Sequence, residues 1–133
     1  MSDCLPDYVE DFEAITRFAS QSGHHSLTEL KWKAFEPRNG ELSIFRVHEM
    51  GDAEIWDIGI NHVGKLQKRP PKCRKDFLVK IVRELGLDVV SETKSHPRHG
   101  NIIHWPEHES EVLLMSKKVA AAVNSPAALK FPP

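Results

Sequence analysis

The segment SHPRHGNIIHW, residues 95 to 105, concentrates side chains that can exchange protons and bind anions. Residues 96 to 101 alone include His96, Arg98, His99 and Asn101. Imidazole donates or accepts a proton near neutral pH, and the planar guanidinium of arginine matches the oxygens of a phosphate. The pattern predicts a pocket for a phosphate-containing ligand, such as a nucleotide or an RNA backbone, and hydrolytic or transferase chemistry there. His99 is the predicted acid or base, Arg98 and His96 assist it, and the Asn101 amide contacts the ligand. A polar surface loop that meets only water is the alternative.

The histidines of this region also raise the question of a metal site. His96, His99, His104 and His108 are separated by three, five and four positions, and neutral imidazole is a good ligand for zinc, copper or nickel. The chain contains no H-E-x-x-H motif, and Glu92 is the nearest carboxylate on the N-terminal side of the loop. We therefore predict no physiological metal, and the sequence identifies no cofactor.

Arg46 is a charge inside the apolar strand-like run LSIFRV. Period-two alternation puts it on the same face as Ile44, and a buried guanidinium must find an anion. One interpretation makes that anion a ligand phosphate, so that Arg46 joins the 96 to 101 loop in one cationic pocket. The other supplies a protein group, such as Glu49, Asp57 or a main-chain carbonyl, or places the side chain in water at the end of the strand.

A strongly basic segment, KLQKRPPKCRK at residues 65 to 75, has six basic residues and no acidic one. Lys68, Arg69 and Lys72 are predicted to contact phosphates from this loop. The acidic N-terminal segment offers an alternative partner for the loop. Together they support a second functional hypothesis, a non-catalytic protein-interaction module or accessory subunit that uses the loop and an acidic first helix.

Composition limits where this protein is expected to act. The formal net charge of -1 gives no global attraction to nucleic acid or to an anionic membrane. Cys4 and Cys73 lie far apart and form no C-x-x-C pair, which favours a reducing compartment. No apolar run is long enough to cross a bilayer, and the N-terminus lacks the pattern of a signal peptide. We therefore predict a cytoplasmic protein without a membrane partner, and its oligomeric state stays open.

Helices and short strands must position these side chains. The patterns predict helices over 8–19, 52–64, 77–85 and 107–124, a hairpin around Asn39-Gly40, and strands at LDVV and IIHW. The fold class is therefore α+β: a small single domain over residues 1–124 with a β-hairpin, a short mixed sheet and about four helices. Residues 125–133, rich in proline, are predicted to form a flexible C-terminal tail.

Overall fold

A single antiparallel sheet organises the chain. The computed structural model describes residues 5–124 and 129–133. Its five strands are hydrogen-bonded in the order β3-β1-β2-β5-β4, and every neighbouring pair is antiparallel. The α+β class is confirmed, but the sheet is not mixed. The strands are β1 (Ala14–Ala19), β2 (Leu42–Arg46), β3 (Cys73–Leu78), β4 (Asp88–Ser91) and β5 (His99–Ile103).

The described residues contain three helices rather than about four. The first is continuous and consists of α1 (Asp52–Asp57), a π-helical segment (Ile58–Val63) and α2 (Gly64–Gln67). The others are α3 (Val79–Glu84) and α4 (Glu109–Asn124). Among the described residues, none of these helices combines the length and the apolar character needed to span a bilayer.

The predicted first helix is wrong, because the second half of that segment forms β1. Ile15 and Ala19 are buried in the core beneath α3 and α4, whereas Phe18 is buried in the core beneath the α1–α2 helix. A strand that is buried on both faces carries apolar residues at odd and even positions. That spacing imitates the pattern of an amphipathic helix over a short window.

The predicted hairpin is correct at its turn and wrong in its first strand. Asn39 and Gly40 adopt positive φ angles of 52° and 76°, and Arg38 pairs with Glu41 across them. The chain before the turn is a 3₁₀-helix, Trp32–Phe35, instead of a strand. Strand β2 therefore pairs with β1 and β5, which lie far away in sequence.

The basic segment is also only partly a loop. Cys73, Arg74 and Lys75 belong to β3 and are buried, so the following helix begins at Val79 instead of residue 77. Arg74 is buried with Asp52 and Asp76 as ion-pair partners, at 2.6 and 3.0 Å. Burial raises the pKa of the Cys73 thiol to about 11, opposite to the lowering that its basic neighbours suggest.

The two core clusters lie on opposite faces of the sheet. Helices α3 and α4 cover the face that carries Ile15, Ile44 and Ile102, and the α1–α2 helix covers the face that carries Phe18 and Phe45. Strands β4 and β5 pair with each other, as LDVV and IIHW suggested.

The C-terminal residues are described only in part. The predicted flexible tail falls partly on residues 125–128, which lie outside the described residues. Beyond them, Leu129 is buried and Lys130 exchanges backbone hydrogen bonds of 2.9 and 3.0 Å with Arg74.

Candidate functional site

Arg46 does not meet the histidines of the loop. Its side chain is 1% exposed and lies on the face covered by α3 and α4. Its Nε and Nη2 donate to the Glu13 carboxylate, both at 2.9 Å, and its Nη1 donates to the Pro6 carbonyl at 2.7 Å. The His96 and His99 rings pack edge-on against Phe45 on the opposite face, with centroid distances of 5.7 and 5.4 Å. The anion of Arg46 is thus a protein carboxylate, and the predicted shared pocket does not form.

His99 instead connects a serine to a glutamate. The Ser43 Oγ lies 2.6 Å from His99 Nε2. His99 Nδ1 lies 3.0 Å from Glu92 Oε2 and 2.8 Å from the Glu92 carbonyl oxygen. Both partners of Nδ1 can only accept, so Nδ1 carries the hydrogen. In the neutral ring Nε2 is then the acceptor, and the Ser43 hydroxyl donates to it. This is the arrangement in which imidazole acts as a base toward a serine hydroxyl.

The sheet register brings these three residues together. On β2 and β5, Phe45 lies opposite His99 and Ser43 lies opposite Asn101, so Ser43 and His99 are diagonal neighbours on one face. The Glu92 N–H donates to the His99 carbonyl at 3.0 Å, which holds Glu92 beside the imidazole. Strand β4 approaches β5 so closely that a Cβ on Gly100 would lie 2.7 Å from the Val90 carbonyl oxygen.

Arg17 places a cation at the same site. Strands β1 and β2 pair only at Ile15 with Arg46 and at Thr16 with Phe45. Beyond Thr16 the side chain of Arg17 spans the gap between the strands. Its Nη1 donates to the Ser43 carbonyl at 3.0 Å, and its Nε donates to the Ala34 carbonyl at 2.8 Å. Within residues 5–124 and 129–133, no carboxylate pairs with this guanidinium. Burial lowers the pKa of Arg17 to about 10, so it remains cationic at neutral pH.

Two adjoining spaces open beside these groups. A recess of about 100 Å³ is lined by Arg17, Ser43, His62 and His99 among others. A wider cleft of about 500 Å³ shares Arg17 and Ser43 with it and is also lined by Arg69. The site can therefore hold a small anion next to the serine and a larger group beside it.

Other residues predicted for the site are outside the recess. Asn101 is buried next to Ser43 with its amide nitrogen 3.4 Å from a Glu41 carboxylate oxygen. Arg98 donates from Nη1 to the Arg46 carbonyl at 3.2 Å, and the His96 Nδ1 accepts from the Arg98 backbone N–H at 3.0 Å. Both side chains line a separate cleft beside α1. Among the residues predicted to be catalytic, only His99 lines the recess.

Of the three basic-loop residues predicted to contact phosphates, one lines the wider cleft and two do not. Arg69 lines the wider cleft, and Lys68 and Lys72 are exposed outside it. Lys68 has a positive φ of 59° at the point where α2 ends. The Lys72 backbone N–H donates to the Ala19 carbonyl oxygen at 2.7 Å. Lys68 and Lys72 therefore stay candidates for an interaction surface. Within the part of the chain that is described, no three His, Cys, Asp or Glu side chains are close enough to share a metal ion.

The sequence interpretation missed Ser43, Arg17 and His62. Alternation in LSIFRV places Ser43 with Phe45, but nothing local indicates which histidine lies beside it. His62 belongs to the π-helical segment, and its ring centroid is 4.9 Å from that of His96. The His62 Nε2 is buried and has no hydrogen-bond partner among the described residues. The presence of a π-helical turn is a signal for function that only the structure provides.

The His62 imidazole is expected to make the fold sensitive to mild acid. Burial, with a smaller contribution from His99, lowers the pKa of His62 below its ordinary 6.5. The unfolded chain therefore binds the proton first, so stability is full above pH 6.5 and declines as the pH falls through the folded-state pKa. We expect His62→Phe to make the free energy of unfolding depend less on pH. Urea unfolding at a series of pH values between about 7.5 and 5 measures this dependence.

A matched substitution at exposed His108 provides the control. The free energy of unfolding of His108→Phe is expected to change with pH in parallel with that of the original protein over the same range. If that of His62→Phe does so as well, the buried imidazole does not contribute to acid sensitivity.

Comparison of the chain with protein-family models, with curated proteins and with solved structures finds no significant match. Fold and site together define an α+β domain with a serine, histidine and glutamate in hydrogen-bonded series beside a cationic cleft.

Proposed function

We propose that this domain binds a phosphate-containing ligand beside Arg17 and transfers its phosphoryl group through Ser43, with His99 as the acid and base. The observation that carries the proposal is the contact of 2.6 Å between Ser43 Oγ and His99 Nε2 in a recess also lined by Arg17. A phosphate in that recess lies beside both a cation and an activated hydroxyl.

Arg17 supports phosphate binding through donors that have no partner among the described residues. A guanidinium has five N–H groups in a planar fork, and carbonyls accept from two of the Arg17 nitrogens. The carbonyls neutralise none of its charge. A phosphate entering the recess therefore meets a cation that has already lost part of its hydration.

The chemistry follows from the tautomer of His99. The Ser43 Oγ attacks phosphorus as its proton passes to His99 Nε2, and the oxygen of the leaving alcohol takes that proton as its bond to phosphorus breaks. Water, or the hydroxyl group of another compound, then attacks the phosphoserine as its proton passes to His99 Nε2. The bond between phosphorus and Ser43 Oγ breaks, and that oxygen takes the proton from His99, which regenerates Ser43. Glu92 holds the imidazole in orientation and stabilises its positive charge between the two proton transfers.

Arg17→Met tests the binding step. Loss of charge-assisted hydrogen bonds is expected to weaken the binding of inorganic phosphate by about 10–100-fold, as measured by isothermal titration calorimetry at fixed ionic strength. Lys65→Met removes the same charge from an exposed position outside the recess and is expected to leave the affinity unchanged.

Arg17→Lys keeps the charge and provides a second variant if methionine perturbs folding. It is expected to retain measurable phosphate binding, weaker than that of the original protein because lysine lacks the planar fork. Equal affinities for the original protein and the methionine variant, or no saturable phosphate binding by the original protein, contradict the proposal.

A further inference from the structure

The wider cleft beside Ser43 carries more polar groups than a phosphate requires. Within the described residues, its charged side chains do not form ion pairs with one another. Carboxylates in such a setting accept hydrogen bonds from hydroxyl groups, and guanidinium groups donate to their oxygens. The charged residues in the lining are Arg17, Arg38, Arg69, Glu36 and Glu41.

Ser20 provides an independent indication that a polar ligand belongs in this cleft. It lines the cleft and is only 4% exposed, yet its Oγ has no hydrogen-bond partner among the described residues. Buried hydroxyls without a partner are uncommon in folded proteins. A serine hydroxyl turns about a single bond, so a ligand hydroxyl in the cleft can pair with it after one rotamer change.

The neighbouring His24 imidazole adds a neutral polar group. It lines the same cleft, and its pKa is lowered by burial and then by the charge of Arg17. In its neutral form the ring offers one donor and one acceptor, which match the two roles of an alcohol hydroxyl.

The described lining offers a nucleobase little aromatic surface to stack on. Bases in protein sites stack on aromatic or guanidinium planes, and the described lining supplies three guanidinium groups but few aromatic rings. Apart from the His24 imidazole, the aromatic ring in the described lining is Phe18, which is 6% exposed and packs against Phe45 and Trp56. The Phe18 ring therefore belongs to the core and is almost closed to solvent. A volume of about 500 Å³ is nevertheless sufficient for a small organic group.

We propose that the ligand is a phosphorylated sugar, with its phosphate beside Arg17 and its hydroxyls bound in the wider cleft by Ser20, Glu36 and their polar neighbours. This inference rests on the proposed function, because it assigns the group attached to the phosphate. It also places the sugar on the Arg69 side of Ser43, away from the cleft that His96 and Arg98 line.

Calorimetric titration with four probes tests the substrate class: inorganic phosphate, ribose, ribose 5-phosphate and adenosine 5′-monophosphate. Ribose 5-phosphate is expected to bind at least about tenfold more tightly than inorganic phosphate, the effect of one or two net hydrogen bonds. Adenosine 5′-monophosphate is expected to bind no more tightly than ribose 5-phosphate, and ribose alone only weakly.

Two variants localise the sugar. Ser20→Ala and Glu36→Gln are each expected to weaken ribose 5-phosphate binding by about three- to tenfold and to leave the affinity for inorganic phosphate unchanged. Ser110→Ala, an exposed position on α4, is the matched control and is expected to change neither affinity. Thermal unfolding of each variant shows whether it is folded at the temperature of the titration.

The outcomes separate the two proposals. Equal affinities for ribose 5-phosphate and inorganic phosphate overturn the sugar assignment and leave the phosphate site intact. Binding of adenosine 5′-monophosphate at least tenfold tighter than that of ribose 5-phosphate overturns it in favour of a base subsite. Absence of any phosphate binding overturns the proposed function and the sugar assignment with it.

Discussion

Replacement of Arg46 by methionine is expected to lower the free energy of unfolding by about 3–5 kcal/mol. Arg46 and Glu13 are 1% and 7% exposed and share two hydrogen bonds of 2.9 Å. Removal of the guanidinium leaves a buried carboxylate without its counter-ion and a Pro6 carbonyl without its donor. Urea unfolding followed by tryptophan fluorescence measures the change.

Two further variants distinguish loss of the ion pair from loss of packing. The double variant Arg46→Met with Glu13→Leu is expected to recover much of the lost stability, because both charges are then absent. Lys130→Met removes a half-exposed cation that also contacts carboxylates, and it is expected to cost about 0–1 kcal/mol. A loss below about 1 kcal/mol for Arg46→Met contradicts a structural role for the pair.

The same pair is expected to add a pH dependence. Burial raises the pKa of Glu13, but the bonds from Arg46 and the Glu10 N–H outweigh burial, and the net pKa lies below its ordinary 4.5. Stability from this group is thus present above pH 4.5 and is lost as the pH falls through the folded-state pKa. This acid-dependent loss is expected to be smaller in Arg46→Met.

Segments with one buried face could be predicted from the sequence. Helix α4 buries Val119 and Val123 and exposes the opposite face, so its apolar residues repeat at helical intervals. The turn at Asn39-Gly40 needs positive φ angles, which asparagine and glycine tolerate. In both cases local chemistry determines local structure.

Segments with two buried faces could not be predicted in this way. Strand β1 is an interior strand of the sheet, and its apolar residues point alternately to the two cores. Strand β3 buries Arg74 and Lys75, two residues that composition alone assigns to solvent. Arg74 is accommodated by Asp52, Asp76 and a stacking contact 4.9 Å from the Trp56 ring centroid, none of which periodicity reveals.

The sequence predicts the recess only at His99 and the wider cleft only at Arg69, and the reason is strand register. Ser43 and His99 are 56 positions apart, and their contact depends on the pairing of β2 with β5. A shift of that pairing by one residue would move Ser43 to the opposite face of the sheet. The same missing information explains why Arg46 lies outside the pocket: only the pairing of β2 with β5 shows that His99 lies on the Phe45 face. Arg46 is adjacent to Phe45 in sequence, but alternation sends its side chain to the face away from the imidazoles.

Catalysis through Ser43 predicts a specific pattern of rate losses. With 4-nitrophenyl phosphate as the probe, Ser43→Ala and His99→Gln are each expected to lower kcat by about 10²–10⁴-fold, the contribution of an activated nucleophile and its base. Release of 4-nitrophenol, followed by its absorbance, measures the rate. Ser110→Ala is expected to retain the full rate.

The combination of variants distinguishes a catalytic series from a cross-strand hydrogen bond that only stabilises the sheet. Residues that act in one proton transfer are not additive, so the double variant of Ser43 and His99 is expected to be no slower than either single variant. Glu92→Gln is expected to cost less, because the Glu92 carbonyl at 2.8 Å still fixes the Nδ1 hydrogen. If the Ser43, His99 and Glu92 single variants all keep the original rate and lose only thermal stability, the hydrogen bonds are structural and Ser43 is not a nucleophile.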